Sequence, residues 1–316
     1  MNPIDVSFII VNYNTGNLVI DCIRSIRQKT SGVNYEIIVV DNASTDGSCQ
    51  VIESAFKDIL LIKNPINPGF GAANNIGAKK ATGRYLLMLN PDTFLLNNAS
   101  RKMFDFMEMP KNGDVAVCSG VLTGEDGYPT VSFGDFPTPG KMIIHSLPSR
   151  GAKPNPGKGK GRKDTDGPGR WIVDFVSGAD LFIRRSLFEK EGGFDDQYFA
   201  YYEETDLCKR ISLKGYKAAI VREAKIVHLG GRSLKDSLKR KKIMYESSLR
   251  YLAKYFGGHF LFRFYCLVNE IKYRIYLDFF RSRFKEEDRT VLRSMVDLST
   301  LYRRDPEQMV TKGHEQ

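Results

Sequence analysis

Apolar residues in this chain come in blocks rather than singly. Residues 6–14 read VSFIIVNYN, an apolar run that closes on a polar cluster. Residues 36–48 read EIIVVDNASTDGS, residues 60–63 read LLIK, and residues 83–93 read GRYLLMLNPDT. Runs this continuous suit strands buried on both faces of a parallel sheet. Between them stand a helix start near Gly16, cap residues after Asp41, and NPINPGFGAANNIGAKKATG over 64–83, a loop entering a small-residue helix. Strand and helix alternating over about ninety residues predict a doubly wound, mostly parallel α/β sheet with helices on both faces. The strand ends Asn12-Tyr13-Asn14, Asp41-Asn42 and Asn90-Pro91-Asp92 then share one sheet edge, where open α/β sheets bind ligands.

The apolar run before Asn90 ends on a single carboxylate, Asp92. Pro91 stops the ladder and sets the chain's exit, which holds Asp92 in a crevice. A hard oxygen ligand there can hold Mg²⁺ or Mn²⁺ against a substrate diphosphate. The other reading is an Asn-Pro-Asp-Thr turn with a helix cap. No G-x-G-x-x-G follows the first strand, which reads on as Asn-Tyr-Asn-Thr-Gly, and no P-loop lysine follows any strand. A dehydrogenase is therefore not expected, and a diphosphate would be neutralised by metal rather than by a glycine-rich nest.

A second acidic constellation, Tyr201-Tyr202-Glu203-Glu204-Thr205-Asp206, precedes LCKRISLKGYKAAIV. Leu207, Ile211 and Leu213 at near-helical spacing place Glu204 and Asp206 at the start of an amphipathic helix, with Glu203 and Glu204 just ahead of it and free to enter a site. Asp206 also suits a first-turn carboxylate that favours the helix dipole. His228 closes an apolar run over 218–229 and is followed by Gly230-Gly231, which permit close backbone approach to a ligand; a lone structural His is the alternative. Trp171, the only tryptophan, fits either a sugar-stacking platform or ordinary core packing.

Net charge is +10 in 316 residues, and it is unevenly spread. Residues 1–110 hold ten basic and ten acidic side chains; 150–170 hold seven against two, and 232–289 fifteen against seven. The stretch 148–169, PSRGAKPNPGKGKGRKDTDGPG, cannot bury a core and is expected to be a mobile loop, either a lid or a solvated insertion. Residues 259–284, HFLFRFYCLVNEIKYRIYLDFFRSRF, carry too many charges for a spanning helix. Aromatics mixed with Arg and Lys suit a helix in the headgroup region of an anionic leaflet; the alternative is a helix packed on the catalytic domain with its charges in water. No nucleic-acid module is recognisable in the basic tail. Five scattered cysteines without C-x-x-C spacing exclude a zinc ribbon and fit a reducing compartment. No signal peptide is expected at the N-terminus.

Together VNYN, VVDNASTDGS, NPGFGAANNIG, LNPDT, SGADLFIRRSLFEKEGGFDDQYFAYYEETDLCKR and IVHLGGRS make residues 5–233 resemble family 2 glycosyltransferases of the GT-A fold, and within them rhamnosyltransferase-like members. The resemblance implies a catalytic domain over 1–233, with a nucleotide-binding half over 1–110 and an acceptor half over 111–233. A basic, amphipathic helical appendage over 234–316 would follow. It implies an inverting transfer from a dTDP- or UDP-sugar to a glycan or lipid-linked acceptor, in cell-surface polysaccharide synthesis, on the cytoplasmic face of a membrane and without nucleic acid. Asn12, Tyr13, Asn14, Asp41, Asn42, Ser44, Asn67, Gly69, Phe70, Asn74 and Asn90 would line the nucleotide-sugar site, with Tyr13 against the base and Asp41 accepting from base or ribose. Asp92 and His228 would serve Mg²⁺ or Mn²⁺, and Trp171, Asp180 and Asp206 would stand on the acceptor side. The family's base is the second acid of a Glu-Asp pair; here that acid is glutamate, so Glu204 is favoured and Glu203 stays open. A nucleotidyltransferase-like protein or a non-catalytic nucleotide-sugar binder is the alternative.

Overall fold

The computed structural model describes residues 3–146, 170–230, 237–280 and 284–307; the glycine- and lysine-rich stretch and Gly231 to Ser233 lie outside them. The N-terminal part runs β1 (Val6–Asn12), α1 (Gly16–Lys29), β2 (Tyr35–Asp41), α2 (Ser48–Ala55), β3 (Leu60–Lys63), α3 (Phe70–Ala78) and β4 (Tyr85–Leu89), close to the pattern its apolar blocks predict. Then come β5 (Thr93–Leu95), α4 (Ala99–Glu108), β6 (Val115–Thr123), β7 (Phe133–Gly134), α5 (Pro139–Ser146), β8 (Arg170–Val173), β9 (Phe175–Val176), β10 (Asp180–Arg184), α6 (Arg185–Lys190), α7 (Glu203–Ser212) and β11 (Lys217–His228). The helices α8 (Ser237–Phe256), α9 (Phe260–Phe279) and α10 (Glu286–Arg304) complete the described chain.

The main sheet has the order β3-β2-β1-β4-β10-β6-β11-β5, with β8 also on β11. β1 pairs in parallel with β2 and β4, while β10 enters antiparallel between β4 and β6. Period-two alternation then sends Phe8 and Ile10 to one face with α1, α2 and α4, and Ile9 and Val11 to the other with α3, α6 and α7. Both faces are covered, so β1 and β4 are buried throughout. α3 lies close because Gly77 has no side chain: a Cβ there would stand 2.7 Å from Ile9 Cγ2.

Register places the polar strand ends together. Asn12 stands opposite Asp41, Asp180 opposite Leu89, and His228 opposite Thr93. β10 runs against its neighbours, so its first residue reaches the edge where β1, β2, β4 and β11 end.

The chain divides into two compact units. One comprises described residues 3–136, 170–196 and 203–230, and holds the sheet. The other comprises 137–146, 197–202, 237–280 and 284–307; α5 and the short segment before α7 therefore belong with α8 to α10. Its core gathers Tyr198, Tyr245, Leu249, Phe262, Tyr265 and Met295. No helix among the described residues is long and apolar enough to cross a membrane.

Candidate active site

Loops after β1, β2 and β3 are stitched to one another by short polar side chains. Asn12 Nδ2 donates to Asp41 Oδ1 at 2.6 Å and to Ser44 Oγ at 3.0 Å, while Asn12 Oδ1 accepts from Thr15. Ser44 N–H donates to Asp41 Oδ2, and Asn14 joins the same loop through Ser44 Oγ and Thr45 N–H. Burial works against ionising Asp41, and hydrogen bonds from Ser44, Asn12 and Cys49 outweigh it, so its carboxyl is held below the usual range. Asn42 Nδ2 reaches Asn67 Oδ1 and Gly69 O, and Asn64 donates back to Asn42. Tyr13 alone among these residues turns its ring outward, 42% exposed on the rim. Such an edge is rigid before any ligand arrives.

Asn90 to Thr93 form a tight turn in which Thr93 N–H and Oγ both bond to Asn90 O. A strand, β5, follows it, and the helix cap of the alternative reading is absent there. Asp92 is almost fully covered, with Oδ1 3.4 Å from His228 Nε2; Asn90 Nδ2 lies 3.3 Å from the same nitrogen. A hard oxygen and an imidazole nitrogen converge here, a donor set that fits Mg²⁺ or Mn²⁺ completed by diphosphate oxygens and water. Among the described residues no group of three His, Cys, Asp or Glu side chains could hold a metal by themselves. Beside this turn, Asn90 N–H bonds to Ala179 O, and Asp180 is wholly buried, accepting from Ser119 Oγ at 2.6 Å and Gly120 N–H at 2.7 Å. Burial pushes the Asp180 carboxyl up to about 7, against those two hydrogen bonds and the charge of His228.

Glu203 and Glu204 lie inside the first turn of α7 rather than ahead of it. Two consecutive left-handed residues, Tyr201 (φ 68) and Tyr202 (φ 71), turn the chain into this helix. Leu213 falls just past the helix and is exposed, so the apolar stripe ends at Ile211. Glu203 is buried against Gly71, and its Oε2 has no hydrogen-bond partner. Burial and the neighbouring Glu204 both push its carboxyl well above the usual carboxylate range. Glu204 is less enclosed, accepts from Thr205 Oγ at 3.3 Å, and packs by Gly178 next to Phe70; burial raises it too. The segment 178–180 thus touches Glu204 at one end and the Asn90 turn through Ala179.

Two acceptor-side candidates have other partners. Asp206 is fully buried and paired with Arg210 Nε at 2.8 Å, while that guanidinium also donates to Glu191 O and Gly193 O. Trp171 sits on β8 opposite Ile220, with its ring near Phe133 and beneath the Arg222 guanidinium. Asn74 donates to Phe70 O within α3. Sequence reasoning passed over Asn64, Ser119, Gly178 and Asn75; the last fixes α3 to Phe194 by two bonds, through Nδ2 and Oδ1. Repetition of Asn after the third strand was the one available signal. Ser119 and Gly178 give none, because they matter only through register.

The fold and this edge define an α/β protein with an acid pair and a carboxylate–imidazole donor set linked through one segment. The model of glycosyl transferase family 2 matches residues 7–191, and the chain belongs to that family. It is 26% identical over 211 residues to N-acetylglucosaminyl-diphospho-decaprenol L-rhamnosyltransferase of Mycobacterium tuberculosis, covering 61% of this chain and 66%, just under two thirds, of that relative. Rhamnosyltransferase WbbL of Escherichia coli K12 is 26% identical over 230 residues, 70% of this chain and 83% of WbbL. Among solved structures the fold is similar to GalNAc-T7 with UDP, GalNAc and Mn²⁺, with a TM-score of 0.61 at 15% identity, over 99% of this chain and 58% of that one.

Proposed function

We propose that the protein is an inverting glycosyltransferase that moves a sugar, rhamnose by the likeness to its relatives, from a dTDP- or UDP-sugar to a hydroxyl of a glycan or lipid-linked acceptor. The work would be done in cell-surface polysaccharide synthesis, by a protein held peripherally at the cytoplasmic face of a membrane. One observation carries the reading: the segment 178–180 links Glu204 to the turn that bears Asp92, which His228 meets from the end of β11. A base and a diphosphate anchor joined through one short segment are what a single displacement needs.

The stitched edge of Asn12, Asp41, Ser44 and Asn42 holds base and ribose, with Tyr13 offering its exposed ring. Asp92 and His228 would hold Mg²⁺ or Mn²⁺, which when bound supplies positive charge to the departing diphosphate. Glu204 takes the proton of the acceptor hydroxyl as that oxygen attacks the anomeric carbon. Burial and the neighbouring Glu204 disfavour charge on Glu203, so Glu204, the less enclosed of the pair, is assigned as the base. Inversion follows from a single displacement; a hydrolase would instead need two carboxyls flanking the bond.

The test is a thermal-shift screen of nucleotide sugars with and without Mn²⁺, followed by transfer assays with the best donor. Donor binding should depend on metal in the wild type and be lost in Asp92→Asn. Equal donor binding in excess EDTA would remove the metal. Binding without either transfer or donor hydrolysis would leave a non-catalytic nucleotide-sugar binder.

A further inference from the structure

α9 is amphipathic in an unusual sense: both of its faces are apolar, and one of them is covered. Phe262, Tyr265, Cys266, Asn269 and Tyr273 are buried in the core it shares with α8 and α10. At about 100° per residue, Phe260, Phe264, Leu267, Ile271, Ile275 and Phe279 fall on the opposite side. All six are exposed, Phe260 and Phe279 by more than three quarters. The two alternatives the composition allows, a helix in the headgroup region and a packed helix with its charges in water, therefore do not divide as expected. The helix packs, and what it turns outward is a continuous apolar stripe, of the kind that marks an interaction surface.

The charges around this stripe identify its partner. Arg263 and Arg274 flank it on one side and Lys272 on the other, while α8 exposes Lys241. Burial lowers the Lys272 amine, and the charge of Lys241 lowers it further, so two cations face each other across α8 and α9. Among the acids of α9, Glu270 is engaged by Arg274 and Arg303, leaving Asp278 exposed near the helix end. A second copy of a chain with net charge +10 would bring like charges together along this stripe. An anionic bilayer would instead take up the apolar residues below the headgroups and pair the flanking cations.

We propose that the outward face of α9, from Phe260 to Phe279, together with Lys241 of α8, is a lipid-contact surface that seats this protein on an anionic membrane. The proposal names the surface behind the peripheral attachment suggested above and rests on that reading.

The test is flotation of the full chain with phosphatidylcholine vesicles, with and without phosphatidylglycerol, at low and high salt. The wild type should float with the anionic vesicles and bind at least tenfold more weakly in high salt. Leu267→Ser with Ile271→Ser should cost at least another tenfold at low salt, because the apolar contact is lost. Both residues are exposed, so the thermal unfolding of that double variant should match wild type. Lys241→Glu is a second, independent variant that should reduce binding to anionic vesicles only. Flotation of the stripe variant equal to wild type would overturn the proposal. So would a wild-type dimer in size-exclusion chromatography that the stripe variant abolishes, since the face would then join two copies. A nucleotide-sugar thermal shift on the same preparations separates the two readings. If donor binding persists without flotation, only the membrane surface falls; if flotation persists without donor binding, only the transferase reading falls.

Discussion

Glu203 and Glu204 differ by one position and by environment. Glu203 is enclosed with an unpartnered oxygen, while Glu204 is partly open beside Gly178. Glu204→Gln should lower turnover by roughly 10²–10⁴-fold with donor affinity nearly unchanged, the usual scale of general-base catalysis. Glu203→Gln should cost much less, since Glu203 is enclosed and an amide keeps its size. Steady-state kinetics with the screened donor decide the order, and the reverse order would make Glu203 the base. Asp180 offers a test by pH. Its carboxyl, raised from an ordinary 3.8 to about 7 by burial, binds a proton more tightly in the folded chain than in the unfolded one. The resulting stability is complete at acid pH and is lost as pH rises from about 4 through about 7. In EDTA, the melting temperature of wild type should therefore fall relative to Asp180→Asn between pH 5 and pH 8. A constant difference over that range would mean that Asp180 stays ionised in the folded protein. The residue types at this site were legible in sequence, since polar residues closing apolar runs are conspicuous. Their pairing was not: nothing in the order of residues says that Asp180 would meet Ser119 or that Asp206 would be taken by Arg210.

Elements followed the apolar blocks closely where burial is on both faces, as in β1 and β4, because such strands leave no polar position to confuse the pattern. α7 began earlier than its apolar spacing implied. Its first turn carries Glu203, Glu204 and Asp206, residues that the positive end of a helix dipole favours and an apolar template ignores. α3 depends on backbone proximity rather than on apolar mass. A Cβ at Gly77 would crowd Ile9 and Val40, so Gly77→Ala should destabilise the protein by about 1–3 kcal/mol, as overpacking generally does. Urea unfolding would check it; unchanged stability would mean that α3 can shift without penalty. α9 was legible in composition but not in orientation. Counting aromatics and basic residues cannot assign them to opposite sides of a helix until its neighbours are known.

On the scale of the molecule, the chain's units are not consecutive in sequence. Tyr198 is fully buried and Ala200 O accepts from Ser247, both within the unit built on α8 to α10, where Arg250 also pairs with Gln197. A chain ending at residue 233 would keep every strand of the sheet but strip 137–146 and 197–202 of their partners. Such a truncation should be less stable and more prone to aggregate than the full chain, as read by urea midpoint and light scattering; an unchanged midpoint would make the helical unit a separable appendage. The sequence by itself determined the doubly wound sheet, its common edge and most of the residue types on that edge. Hydrophobic burial is written directly into runs of apolar residues, and turn chemistry into the polar residues that close them. Only tertiary structure decided which side chains on that edge meet, that β10 enters antiparallel to bring Asp180 to the site, and which face of α9 is left uncovered. These depend on strand register and on which distant segment covers which surface, and contacts between residues far apart leave no local trace in the chain.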